Sequence, residues 1–137
     1  MNSRDEWIAG YAQAWRDKDA EAVTKLFTED AIYRSSPTAA AHVGSAAIAA
    51  YWRRATAGQR ELDLRFGTPV VAGNRVAVEW WATLRDPEWS PDSPTDHATL
   101  PGCLVLIFAA DGRCTELREY YNALFGQSLP APVGWGR

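Results

Sequence analysis

Apolar residues near the amino terminus recur at helical spacing. Trp7, Tyr11 and Trp15 stand at i, i+4 and i+8, flanked by Ile8 and Ala12, which predicts one buried aromatic stripe on a long first helix. Ser3 followed by Glu6 reads as a capping box at its start. Asp17-Lys18-Asp19 breaks the pattern, and Asp19 can cap a short second helix in "AEAVTKLF". "AIYRS" reads as a short strand stopped by Pro37, and "TAAAHV" as a loop. A third helix, "AAIAAYWRRA", follows, with Ser45 as its expected cap and Gly58 just past its end.

From Glu61 the period changes to two. "ELDLRF" places Leu62, Leu64 and Phe66 on one face, and Gly67-Thr68-Pro69 marks a bulge or bend. "AGNR" is a hairpin turn returning into "RVAVEWWATLR". Residues 86–101 form a long Pro/Ser/Asp loop of a length often used for a lid. "GCLVLIFAA", an Asp-Gly turn and "CTELREYYN" complete a meander. The order α-α-β-α-β-β-β-β is an α+β pattern: three helices in the first half and a β-meander in the second. One domain is expected over residues 1–125. Residues 126–137 are a Gly/Pro-containing tail of turn composition, expected to be mobile.

The hairpins set side-chain registers. A two-residue turn at Asp111-Gly112 places Leu104 opposite Glu119 and Leu106 opposite Leu117, so Glu119 and Tyr121 share a face with Leu104, Leu106 and Phe108. A two-residue turn at Gly73-Asn74 places Phe66 opposite Trp81 and puts Glu79 on the same buried face; a one-residue bulge near Gly67 would reverse that assignment. Both registers aim a glutamate at apolar neighbours, while Glu116 and Arg118 share the outer face. Cys103 and Cys114 then lie roughly 20 Å apart along the ladder, too far for a disulfide, so both are read as free thiols.

Composition narrows the function classes. The chain has 137 residues and a net charge of −3, without the basic footprint of a nucleic-acid binder. No apolar run approaches a membrane span, and "MNSRDEWIAG" is too polar for a signal peptide, so the expected location is cytoplasmic. His42, His97 and the cysteines lack metal-ligand spacing, and no metal or cofactor is called for. Seven Trp is the unusual feature. Each indole N–H needs a partner when buried, so an aromatic-lined cavity or a rigid dimer interface is the expected use.

The segments "YAQAWRDKDAEAVTKLFTEDAIYRSSP", "GSAAIAAYW" and "LIFAADGRCTELREYYN" resemble the nuclear-transport-factor-2-like superfamily, in particular its SnoaL-like (polyketide-cyclase-like) branch. The resemblance implies a cone: a strongly curved antiparallel sheet wrapped around the long first helix, with a pocket inside and dimers formed through the outer sheet face. Ketosteroid isomerases of this fold carry a catalytic Tyr where Tyr11 stands, but Ser35-Ser36 and Leu104 occupy the positions of their carboxylates. Limonene epoxide hydrolases carry a carboxylate at the Glu119 position, and Glu79-Trp80-Trp81 replaces their Arg-x-Asp. Scytalone dehydratases use a pair of pocket histidines, for which only His97 is offered here.

A carboxylate in an apolar pocket exchanges protons near neutral pH, and two carboxylates in differing surroundings divide into acid and base. The expected catalytic set is therefore Glu119, Glu79 and Tyr11. The expected substrate-binding set is Trp15, Tyr33, Trp52, Phe66 and Trp81, with Leu104, Leu106, Leu117, Tyr121 and His97. This describes isomerase, dehydratase or cyclase chemistry on a small, mostly apolar molecule. The alternative is a non-catalytic ligand-binding or dimerisation domain of the same fold.

Overall fold

The computed structural model describes residues 3–89 and 91–137. Helix α1, Ser3–Asp17, ends at Lys18, whose left-handed backbone (φ 54°) turns the chain. Its buried face carries the aromatic stripe, Trp7, Tyr11 and Trp15, with Ile8, Ala12 and Ala14 between them. Asp19 caps α2, Ala20–Thr24, by accepting the Ala22 N–H at 3.0 Å. The second helix is shorter than its sequence pattern, because Phe27 already belongs to strand β1, Phe27–Arg34. The "TAAAHV" segment contributes a two-residue strand, β2, His42–Val43. Helix α3, Ser45–Thr56, starts one residue from its expected cap. Gly44, at φ 88°, occupies the cap position, and Ser45 is the first helical residue.

The strands that follow are β3 (Arg60–Phe66), β4 (Val70–Ala72), β5 (Arg75–Arg85), β6 (His97–Phe108), β7 (Cys114–Tyr121) and β8 (Leu124–Phe125). One sheet runs β2-β1-β7-β6-β5-β3, with β4 also on β5 and β8 on β6. Every pairing is antiparallel except β1 with β7, which is parallel. This is the expected α+β cone, a curved sheet closing on α1. The core lies between them: Tyr11, Val23, Ile48, Leu104, Leu106 and Leu117 are all excluded from water.

The β6–β7 register matches expectation by a compensated route. Leu104 pairs Glu119 and Leu106 pairs Leu117. The turn, however, spans three residues, with Ala109 N–H bonding Arg113 O at 2.8 Å, and the ladder slips between Ile107 and Phe108, leaving Thr115 as an extra residue. The long turn and the bulge cancel.

The β3–β5 register does not match. Ala72 pairs Arg75 as expected for the Gly73-Asn74 turn, but Phe66 pairs Trp80 and Leu64 pairs Ala82. An extra residue is accommodated between Phe66 and Val70, where the Gly67 N–H bonds Glu79 O at 2.8 Å. Every side chain of β5 beyond that point is reversed relative to expectation. Val76, Val78, Trp80, Ala82 and Leu84 face inward, and Glu79 is exposed on the outer face.

Residues 126–137 are tied to the outer face. The Trp81 indole donates to Leu129 O at 2.9 Å and the Trp135 indole to Trp80 O at 3.2 Å. The Gly67 backbone approaches Gly136 so closely that a Cβ at Gly67 would lie 2.4 Å from the Gly136 Cα. A chain of turn composition is held here by edge-on indole contacts, with Trp81 and Trp135 5.2 Å apart.

Candidate active site

A cavity of about 420 Å³ opens between α3, the inner ends of β5 and β7, and the loop of residues 86–96. That volume falls in the range of roughly 300–1,000 Å³ typical of small-molecule sites. Its walls are aromatic, made by Trp15 from α1, Tyr51 from α3, Trp80 from β5, Trp89 from the loop and Tyr121 from β7. Gln59, Ser35, Ser36, Asp86 and Arg54 add polar groups, and Glu119 reaches the cavity from the sheet. The loop forms part of the wall through Trp89, whose ring stands 5.2 Å from Phe125 and 6.5 Å from Tyr121.

Glu119 faces inward because β7 alternates, with Leu117 and Glu119 buried. Only 6% of its surface is exposed. Among the described residues no basic side chain forms an ion pair with it. Burial therefore pushes its carboxyl from 4.5 up to about 8, and a hydrogen bond from Tyr33 pulls it only part of the way back. The Tyr33 hydroxyl also lies 3.0 Å from that of Tyr11. A phenol has one proton, so when Tyr33 donates to Glu119 it must accept from Tyr11. With Glu119 ionised, the two phenols therefore line up as donors toward it, Tyr11 to Tyr33 to Glu119. Burial and the Glu119 charge raise both phenols well above their ordinary value, so they act as hydrogen-bond donors and not as bases. The same two causes raise Tyr51 and Tyr121.

Supporting groups hold this arrangement. The Trp15 indole donates to Gln59 Oε1 at 2.8 Å, which fixes the amide beside the cavity. Trp52 packs edge-on against Tyr11, Trp15 and Tyr33. Trp80 lies across Gly102, where an added Cβ would fall 2.2 Å from the indole Cε2, so only glycine lets this ring lie flat at that point.

The structure brings together part of the predicted set. Glu119, Tyr121 and Trp15 line the cavity, with Tyr11 and Tyr33 buried immediately behind. Trp52 and Phe66 pack against Tyr11 one layer further in. Leu104, Leu106 and Leu117 are core residues with no exposed surface. Glu79 and Trp81 stand on the opposite side of the sheet, a correction that follows from the Gly67 bulge. His97 also faces outward, with Nδ1 2.9 Å from Ser128 Oγ, since β6 begins at His97 and not at Gly102. The cavity residues missed by sequence reading are chiefly Trp80, Tyr51, Trp89, Asp86 and Gln59. Gly67 was the available signal for Trp80, because a bulge there exchanges it for Trp81. Among the described residues no cluster of His, Cys, Asp or Glu is arranged for a metal ion, and no helix is long and apolar enough to cross a membrane.

An α+β cone with a buried carboxylate in an aromatic cavity defines the class, and comparison with known proteins agrees. The model of the SnoaL-like domain matches residues 8–117, and the chain belongs to that family. Among curated proteins no sequence matches. Solved structures share the fold. SalBIII, an epoxide hydrolase/cyclase-like enzyme of pyran ring formation in salinomycin, is 20% identical, with 87% of this chain and 90% of that one covered at a TM-score of 0.73. A Shewanella denitrificans protein assigned to the SnoaL-like polyketide cyclases is 21% identical, with 86% and 89% covered and a TM-score of 0.73. A Catenulispora acidiphila protein of ketosteroid isomerase-like fold, solved with trimethylamine, is 22% identical, with 85% of each chain covered and a TM-score of 0.72.

Proposed function

We propose that this protein is an enzyme of general acid–base type, an isomerase, dehydratase or cyclase acting on a small, mostly apolar molecule. The observation that carries the reading is Glu119: a carboxyl group at an aromatic cavity, without a basic partner among the described residues, raised to about 8 by burial. Such a group holds a proton at neutral pH and exchanges it readily, which suits proton transfer in water-poor surroundings. The Tyr11–Tyr33 pair orients it. The similarity to SalBIII and the cyclase-like proteins supports ring-forming or ring-opening proton transfer as the general kind of reaction.

The test uses 5-nitrobenzisoxazole, an apolar probe whose ring opens when a base removes one C–H proton and the N–O bond breaks. The expected result is turnover that rises as the pH passes about 8 and loses that rise in Glu119→Gln. Undiminished turnover in Glu119→Gln refutes the assignment. Probe binding without turnover in either protein would instead describe a binding module.

The same reading includes a homodimer. Val105, Ile107 and Tyr120 lie on the outer face, and Tyr120 is 45% exposed. Sedimentation is expected to give a dimer at micromolar concentration; a monomer there contradicts it.

A further inference from the structure

Glu79 cannot supply a second carboxylate to this cavity, because it stands on the outer face. Another acid does line it. Asp86 is the first residue after β5, at the root of the 86–96 loop, and only 9% of its surface is exposed. One carboxylate oxygen is committed, since Oδ1 accepts the Glu88 N–H at 3.0 Å. The neck of the loop is closed beside it, with the Asp86 N–H bonding Asp96 O at 2.8 Å. Space for the carboxylate comes from Gly58, where an added Cβ would lie 2.5 Å from Asp86 Oδ1. Among the described residues no hydrogen bond or ion pair engages the second oxygen, Oδ2. A side chain oriented by backbone, cleared by a glycine and left with a free oxygen at a cavity is placed to act on what enters.

We propose that Asp86 is the second catalytic carboxylate of this site, the base that takes a proton from substrate carbon while the Glu119 carboxyl gives one to substrate oxygen. The proposal rests on the acid–base reading of Glu119. On a carbonyl compound the step balances without a co-reactant. The C–H pair becomes the enol double bond, the carbon proton passes to Asp86, and the carbonyl oxygen takes the Glu119 proton. The cavity holds one carboxylate before the step and one after, so its net charge is unchanged. The substrate class that fits is a carbonyl compound with an acidic α-hydrogen, its oxygen toward the phenols and its α-carbon toward the loop. The other titratable groups sharing the cavity are Arg54 and Tyr51 from α3, Glu88 from the loop, and Glu119 and Tyr121 from β7.

The pH dependence of 5-nitrobenzisoxazole opening separates the two carboxylates. At about pH 6 Glu119 is protonated and cannot act as the base, and at about pH 9 it is ionised. In Asp86→Asn the amide oxygen keeps the bond from Glu88. The expected outcome is a fall of about tenfold or more at pH 6, the scale of a general-base contribution, with the pH 9 rate largely retained. Retention at pH 9 also shows that the variant is folded. An unchanged rate at pH 6 overturns the proposal. An equal loss at both pH values overturns it too, because Asp86 would then shape the cavity and carry no proton. A loss at pH 6 in Glu88→Gln and not in Asp86→Asn assigns the role to Glu88 and likewise overturns it. Failure of the acid–base reading of Glu119 is seen separately, as a Glu119→Gln protein that keeps the rise in rate through pH 8.

Discussion

Replacing Glu119 by glutamine keeps the shape of the side chain and removes its titration. The folded carboxyl stands near 8 against 4.5 when exposed, so the folded state binds the proton more tightly than the unfolded state. Stability supplied by this group is therefore complete below about pH 4.5, declines as the pH rises, and levels off above about pH 8. The full difference is worth roughly 5 kcal/mol at about 1.4 kcal/mol per tenfold change in affinity, and roughly 4 kcal/mol of it falls between pH 5 and pH 9. Relative to the wild type, the glutamine variant gains about that much over this range. Urea titrations at each pH read it directly: with a slope of about 2 kcal/mol per molar, the gap between the two midpoints moves by about 2 M. A gap that stays flat with pH refutes the argument. A variant less stable by about 3 kcal/mol or more near neutral pH refutes it as well, because the glutamate would then be holding a buried partner in place.

Two further substitutions probe the surroundings. Tyr33→Phe removes the hydroxyl that draws Glu119 downward and orphans Tyr11, so the upper limb of the turnover profile is expected to move to higher pH; a downward move contradicts the donor arrangement. Gly102→Ala forces a methyl group into the Trp80 ring, and a loss of about 1–3 kcal/mol in urea unfolding is expected; a loss below about 0.5 kcal/mol means the indole moves freely.

The sequence made the architecture readable because local signals agreed with the global fold. The Trp7-Tyr11-Trp15 stripe, the Asp19 cap and the Leu62-Leu64-Phe66 alternation each describe a real element with its buried face correctly placed. Glu119 was legible because two departures from ideal pairing, the longer turn and the Thr115 bulge, cancel along β6 and β7. No such cancellation occurs at Gly67. One uncompensated residue there sends Glu79 and Trp81 outward and brings Trp80 in, since side chains alternate with a period of two. Asp86 and Trp89 were out of reach for a different reason. They come to the cavity through the closure of the 86–96 loop, which no periodic pattern describes. The pinning of residues 126–137 depends on indole contacts across the whole sheet and is likewise invisible in a Gly/Pro-containing segment.

The central claim is that Glu119 carries a proton at neutral pH inside the cavity. Its most direct test is a carbon-13 NMR titration of the glutamate side-chain carboxyls, with the Glu119 resonance assigned by its loss in Glu119→Gln. A midpoint near 8 is the predicted result, and a midpoint near 4.5 would show an ordinary solvated carboxylate and contradict the account.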